Sequence, residues 1–216
     1  TTFPFLALRS LHAGKAALHA RITLPPLRRR ALEPMAPVHA PLETERLQAL
    51  QSYAILDTPA EEAYDQLATL AARLCGTPMA VVNFLDSERQ WFKAAVGVPF
   101  RQTDRAISFC THALSGTRAP MVVADARQHP LFAVNPLVVG EPHVRLYACV
   151  PLITPEGAAL GTLAVLDTVP RALTDEQLEG LKILAGQVMV LLELRRQQRL
   201  LSQLVQEQRL LYEAGQ

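Results

Sequence analysis

The spacing of hydrophobic residues changes several times along the chain, and each change marks a predicted element. From Leu42 to Ile55 apolar positions fall among charges, which predicts an amphipathic helix ending at the turn Asp57-Thr58-Pro59. A second helix is predicted over residues 61–76. Its apolar positions recur at three- and four-residue steps, at Ala63, Leu67, Leu70 and Leu74.

Apolar runs rich in β-branched residues then predict strands. They lie at 78–86, at 89–97, around Val122-Val123, at 147–154 and at 159–167. The first two flank the turn candidate Ser87-Glu88, and the last two flank Pro155-Glu156-Gly157, so each pair is expected to form a hairpin. Hairpins with helices at both ends favour an α+β fold around an antiparallel sheet over a doubly wound parallel one.

The segment from Ile107 to Val138 predicts a lid over one face of that sheet. It reads as a short helix, a buried strand, an Asp-Ala-Arg turn and a second short helix. Ser108 is a natural N-cap for the first helix and would place Cys110 in its first turn. Such a lid is typical of domains that sense small molecules.

The last predicted helix begins at Thr174, where Gln177 completes a capping box. Neither Gly nor Pro interrupts it from 187 to 214. The apolar positions Val190, Leu194, Leu201, Leu204 and Leu211 alternate in three- and four-residue steps, with Gln197 and Gln208 in the two remaining places. This pattern favours a coiled coil, and so a homodimer through residues 190–211. The alternative, a helix packed along its own domain, explains only residues 178–192.

The chain divides into three predicted parts. Residues 1–41 carry no acidic residue before Glu33, several arginines and many prolines. They resemble a transit peptide in composition or the read-through of an upstream region, with Met35 as a plausible start. We expect this part to be a disordered or non-native extension. A sensory domain would span 42–173, and a C-terminal signalling helix 174–216.

Overall composition narrows the function further. A net charge of +1 with a pI near 7.8 gives no general attraction to nucleic acid or to acidic membranes. Three cysteines without metal-ligand spacing predict free thiols in a reducing compartment, and therefore a cytoplasmic protein. No apolar run approaches the roughly 20 residues that cross a bilayer.

Several runs together resemble the GAF domains of bacterial sensor histidine kinases and diguanylate cyclases. They include ISFCTHAL, VVADARQHPLFAVNPLV and VRLYACVPLITPEGAALGTLAVLD, in that order. The resemblance covers about Leu42 to Leu192. It implies strand order 2-1-5-4-3, helices on both faces, the first and last helices in one layer, and a ligand pocket on the other face. It does not name the ligand.

The resemblance places possible ligand contacts at Asn83, Cys110, His112, Asp125, Arg127 and Tyr147. The helix dipole could lower the pKa of Cys110 and make it a redox-sensing thiol. The alternative is a small buried hydrophobic residue that supports the lid. Arg127 could bind Asp125 or an anion, whereas the plainer interpretation has Asp125 capping a short helix.

Known cofactors of the family find little support. Pro142 precedes His143 where a bilin-attaching cysteine would stand, so bilin binding is not expected. The segment Asn83-Phe84-Leu85-Asp86 does not reproduce the cyclic-nucleotide signature. His112, His129 and His143 fall on separate elements without metal spacing, so neither zinc nor haem is supported.

The sequence therefore predicts a sensory module rather than an enzyme, with no catalytic residues assigned. It would bind a small ligand or sense redox state and pass the signal through a dimeric helix to a kinase or cyclase output. Two alternatives remain. One is a dimerisation scaffold without a ligand. The other is an enzyme resembling free methionine-(R)-sulfoxide reductases that uses Cys110, although acidic substrate-binding residues are not visible around 144–150.

Overall fold

The computed structural model describes residues 43–115 and 118–214. Its helices are α1 (Glu43–Tyr53), α2 (Glu62–Cys75), α3 (Phe109–Ser115), α4 (Pro136–Val139) and α5 (Asp175–Ala214). Its strands are β1 (Met79–Leu85), β2 (Arg89–Val96), β3 (Gln102–Asp104), β4 (Met121–Val123), β5 (Leu146–Ile153) and β6 (Ala159–Asp167). The predicted extension at 1–41 lies outside the described residues, and the division into parts stays a prediction.

The strands form one six-stranded sheet in the order β3-β2-β1-β6-β5-β4, in which every neighbouring pair is antiparallel. Without β3, this is the predicted order 2-1-5-4-3, so the α+β class and the topology are confirmed. The short edge strand β3 was not predicted, because three residues with exposed ends carry no apolar alternation.

The first face of the sheet, here called the helical face, is covered by α1, α2 and α5. Its core is large and continuous, and its biggest fully buried side chains include Tyr53, Tyr64, Phe84 and Leu163. Burial of this much apolar surface is the main source of folding free energy in such a domain.

The buried side of α2 differs from the predicted one. Leu70 and Leu74 are 51% and 39% exposed, and Ala63 is exposed as well. The residues that face the core are instead Tyr64, Ala68, Ala71 and Cys75, one position further along the helix. Alanines let α2 approach the sheet closely, so the larger leucines remain outside. The predicted spacing was right, but the predicted face was wrong.

The second face, here called the lid face, is covered by α3, α4 and the segments between them. Its core is smaller and is built around Val81, Phe109, Phe132, Tyr147 and Ala164. The predicted lid over 107–138 is therefore present in the described part of that segment.

Helix α5 has two different halves. The predicted capping box forms, because the Gln177 backbone N–H donates to Thr174 Oγ1 (3.2 Å) and the Thr174 N–H donates to Gln177 Oε1 (3.0 Å). Its buried residues end at Leu192, and every residue from 200 to 214 is exposed. The helix has 40 residues and is therefore about 60 Å long. Among the described helices, none is both long and apolar enough to span a membrane.

Candidate functional site

A partly enclosed cavity lies between the sheet and the lid. Its volume is about 40 Å³, which is room for about three water molecules. Its walls include Met79, Val81, Phe92, Phe109, Tyr147 and Leu166. None of the described residues that line it is charged, and its polar side chains are Gln90, Thr103 and Tyr147. A cavity of this kind excludes ions and favours apolar surface.

An aromatic cluster joins the lid to the sheet. Phe132 is fully buried, with ring centroids 4.6 Å from Phe109, 4.4 Å from His129 and 5.4 Å from His112. Phe109 also stacks on Tyr147 of β5 at 4.8 Å. The cluster was missed in the sequence because its members come from separate elements that only the tertiary fold brings together. His112 thus packs against Phe132 and does not line the cavity.

Buried polar atoms lie behind the cavity wall. Asn83 on β1 stands opposite Thr162 on β6, and its Nδ2 donates to Thr162 Oγ1 at 2.8 Å. Asn83 Oδ1 and the Tyr147 hydroxyl are buried without a hydrogen-bond partner of normal geometry among the described residues. Thr162 and Cys149 are polar neighbours of that hydroxyl. Unsatisfied buried polar atoms are uncommon and call for an explanation.

Cys110 does not have the activated thiol that its helix position suggested. Its side chain is fully buried, with Sγ 2.8 Å from Ser108 Oγ. Burial raises the pKa of Cys110 to about 12, although the contact with Ser108 partly opposes this shift. Of the two interpretations that the sequence left open, the geometry matches the small buried residue that supports the lid, because desolvation outweighs the helix terminus. A thiol that stays protonated is a weak nucleophile, which weighs against the reductase alternative.

Cys149 on β5 shares this environment. It is fully buried, and burial raises its pKa to about 11. Its charge would further disfavour ionisation of Cys110. Both thiols are therefore neutral at pH 7 and behave as small apolar side chains.

Asp125 and Arg127 form a local pair on the outside of the lid. Asp125 caps the short 3-10 turn Ala126–Gln128 by accepting from the Arg127 backbone N–H. The Arg127 guanidinium donates to both Asp125 oxygens at 3.0 and 2.7 Å and lowers the pKa of Asp125 to about 2. Neither residue lines the cavity, so the geometry matches the capping interpretation.

Of the six predicted contacts, only Tyr147 lines the cavity, while Asn83 and Cys110 are buried nearby and the other three lie elsewhere. The apolar walls were missed. Alternation along a strand, as for Met79 and Val81 on β1, predicts which side chains lie on the same face of the sheet. It does not predict where those side chains leave a cavity. Within the described ranges, no three His, Cys, Asp or Glu residues come together as metal ligands.

A buried lysine connects the cavity wall to the opposite face. In the β1–β2 register, Val82 pairs with Ala94 and Asn83 with Phe92, so Lys93 is the extra residue of a β-bulge. Phe92 lines the cavity, whereas the fully buried Lys93 side chain reaches the helical face. There its Nζ donates to Glu61 Oε1 (2.6 Å), Pro59 O (2.6 Å) and Thr58 Oγ1 (2.8 Å).

The same glutamate holds α5 where that helix leaves the domain. Arg195 of α5 forms an ion pair with Glu61 Oε1 at 2.5 Å. One residue further on, the Arg196 guanidinium lies 5.0 Å from the centre of the Tyr53 ring, and Tyr53 donates to Glu193. The cavity wall and the exit point of α5 are thus joined by a short chain of direct contacts.

The GAF domain family model matches residues 59–192. The chain therefore belongs to the GAF domain family, as the resemblance implied. A cyclic di-GMP phosphodiesterase of Pseudomonas aeruginosa is 41% identical over 129 residues, which is 60% of this chain and 22% of the relative. The chain thus spans about a fifth of that protein's length.

Solved structures agree on the fold. The GAF domain of an Acinetobacter phosphoenolpyruvate-protein phosphotransferase superposes with a TM-score of 0.52 at 16% identity, covering 70% of this chain and 92% of its own. The PixJ GAF domain of Thermosynechococcus elongatus gives 0.50 at 16% identity, covering 76% and 94%. At these identities the likeness establishes the architecture alone.

Proposed function

We propose that this GAF sensory module takes a small ligand into the lid-face cavity and transmits the event through a dimeric α5. The observation that carries the proposal is the exposed second half of α5. A helix that leaves its domain with an apolar stripe and no described partner needs another surface to cover it. A second copy of the chain supplies that surface.

The predicted coiled-coil positions support this pairing. Val190, Leu194, Leu201, Leu204 and Leu211 are between 49% and 69% exposed. Ile183, seven residues before Val190 and so one full repeat earlier, is also exposed. Nearby on α2, the outward-facing Leu70 lines a groove with Gln187 and Leu191 of α5. The apolar surface thus extends from the domain onto the helix, which suits a parallel pair of copies.

The relay would run through β2. A ligand that displaces Phe92 moves a residue whose neighbour Lys93 binds Glu61, and Glu61 binds Arg195 of α5. A change in that network would alter how α5 leaves the domain, and so the packing of the paired helices. Each step of this route is a direct contact, and energetic coupling along it is what the hydrogen-exchange experiment below measures.

The output would be a nucleotide second-messenger enzyme or a histidine kinase in the cytoplasm. The resemblance to sensor kinases and diguanylate cyclases supports this, and the relative named a cyclic di-GMP phosphodiesterase supports it further. The described residues would then form the regulatory part, with catalysis supplied by another domain or a partner protein.

Sedimentation analysis tests the dimer. Leu201→Ser with Leu204→Ser should convert it to a monomer, because both residues occupy the proposed seam. Leu210→Ser is the matched control, since Leu210 is 58% exposed, like Leu204, but falls outside the repeat. A monomeric wild type, or equal dissociation by Leu210→Ser, would overturn the proposal.

Hydrogen exchange tests the relay. Val144→Phe should push on the cavity wall and change exchange in α5 near Arg195, and Glu61→Gln should remove that response. If the response persists without Glu61, the signal takes another route.

A dimerisation scaffold without a ligand is the second candidate, and the small volume of the cavity favours it. Native mass spectrometry of protein purified from its host separates the two. A retained small molecule supports the sensor, and an empty dimer supports the scaffold.

A further inference from the structure

The lining of the cavity points to a class of ligand. We propose that the lid-face cavity selects a neutral, mainly apolar small molecule with a single polar group. This inference rests on the proposed function and specifies its ligand. It is carried by two features of the cavity: its described lining residues carry no charge, and one side of it offers two polar side chains.

Because none of the described lining residues is charged, we expect the ligand to be neutral. The walls are formed mainly by aliphatic and aromatic side chains such as Val81, Phe92, Phe109 and Leu166. An ionic group moved from water into this cavity would find no opposite charge on its walls, which is strongly unfavourable. Phosphate and carboxylate groups are normally held by arginine, lysine or several backbone N–H groups. A neutral ligand avoids that cost.

One side of the cavity offers a place for a polar group. Gln90 of β2 and Thr103 of β3 both line it, and Thr103 Oγ1 donates to Gln90 Oε1 at 3.3 Å. That hydrogen bond is longer than the usual 2.7–2.8 Å for hydroxyl donors. A ligand hydroxyl inserted between the two side chains could donate to Gln90 Oε1 and accept from Thr103 Oγ1, so that both would keep a hydrogen-bond partner.

The volume requires the wall to move. A dry apolar cavity of about 150 Å³ is known to hold benzene, whereas this one has about 40 Å³. A ring can enter only if part of the wall shifts outward. Val98 and Phe100 lie in the connection between β2 and β3, and Phe100 packs on Phe92 with ring centroids 5.8 Å apart. Entry of a ring would thus displace Phe92, the residue from which the proposed relay begins.

Three matched probes test the charge rule: 4-fluorobenzyl alcohol, 4-fluorobenzoate and 4-fluorobenzylammonium. They share one ring and differ in charge, and their binding to the full chain is followed by fluorine NMR at pH 7. We expect the alcohol to bind about tenfold more tightly than either ion. Each ion loses its hydration on entering the cavity and finds no opposite charge there. Equal or tighter binding of an ion would overturn the proposed class.

Variants tie that binding to the cavity. Val144 is a buried residue of the cavity wall. Val144→Phe should fill the cavity with the larger side chain and abolish binding of the alcohol. Leu173→Phe makes a similar change in a half-buried residue packed on the helical-face core, outside the cavity, and should leave binding unchanged. The fold of each variant is checked by its thermal unfolding.

A charge added to the wall gives the converse test and does not depend on filling the cavity. Leu137 is a half-buried lining residue on α4, and Leu137→Lys should raise the affinity for 4-fluorobenzoate and lower that for 4-fluorobenzylammonium. No change in preference would overturn the charge argument.

The outcomes separate this inference from the proposed function. If an ion binds more tightly and Val144→Phe abolishes its binding, the ligand class is wrong but a ligand-binding cavity remains. If none of the probes responds to Val144→Phe, the class is overturned, while sedimentation and hydrogen exchange still decide the dimer and the relay.

Discussion

The two faces of the sheet are built differently, although they share the same strands. The helical face packs large side chains from α1, α2 and α5 into a continuous core, whereas the lid face has a smaller core and a cavity. Empty space costs stability, because the side chains around it lose packing contacts. The comparison suggests that the helical face supplies most of the folding free energy, which leaves the lid face free to respond to a ligand.

Strand β6 offers a direct test, because Leu163 faces the helices and Leu166 faces the lid cavity. Leu163→Ala should lower the free energy of unfolding by about 2–5 kcal/mol, since the leucine is fully buried in a well-filled core. Leu166→Ala should cost only about 1–2 kcal/mol, because Leu166 is half-buried beside space that already exists. Denaturant unfolding measures both, and equal losses would contradict the proposed division of labour.

The same contrast explains what could be predicted from the sequence. The strands of the central hairpins, the capping box at Thr174 and the repeat on α5 follow from local periodicity and turn chemistry, and all were predicted. The strand order came from family resemblance. The buried face of α2 was mispredicted because Ala68 and Ala71 carry a weaker hydrophobic signal than Leu70 and Leu74.

The site was less predictable for a physical reason. A cavity is the space that packed side chains do not fill, and no local pattern records it. Polar residues such as Asp125 and Arg127 attract attention in a sequence, yet they satisfy each other on the surface. The Lys93 network also depends on a β-bulge, which a run of alternating residues does not reveal.

Charge on the helical face gives the second prediction. Glu61→Gln should lower the free energy of unfolding by about 1–3 kcal/mol, because it leaves the buried Lys93 ammonium without its carboxylate. The partial exposure of Glu61 keeps the loss below that of a fully buried pair.

Two controls accompany Glu61→Gln in the same urea titrations. In a Lys93→Met background, Glu61→Gln should cost much less, as a double-mutant cycle would show. Lys182→Gln removes an exposed ion pair with Glu179 on α5 and should leave stability unchanged within error. An undiminished cost after removal of the lysine would refute the role given to this contact.

Alkaline pH gives a smaller effect on the lid face. The native pKa of Cys149 is raised from 9.0 to about 11, so the unfolded chain loses this proton first. Stability is therefore fully present below pH 9 and falls as the pH rises towards 11. At pH 10 this thiol should account for about 1.4 kcal/mol of the loss.

Cys149→Ala should therefore make the free energy of unfolding fall less steeply between pH 9 and 11. The change in slope should correspond to about one proton, whatever the effect of the substitution at pH 7. Urea unfolding at a series of pH values measures the slope. A slope identical to that of the wild type would mean that the thiol ionises as readily in the native state as in the unfolded one.

The order in which the thiols react gives the finest test of the two faces, since it measures local opening without changing the core. Cys75 is buried on the helical face, whereas Cys110 and Cys149 are buried beneath the lid, and burial raises all three pKa values. Each thiol can react with iodoacetamide only after it becomes exposed and ionised. If the lid opens at a lower free energy than the helical layer, Cys110 and Cys149 should be alkylated before Cys75.

Peptide mass spectrometry of timed samples gives the order of alkylation. Added denaturant should remove the difference once all three thiols react through global unfolding. Simultaneous alkylation without denaturant would mean that both faces open together and that the lid does not move independently of the helical layer.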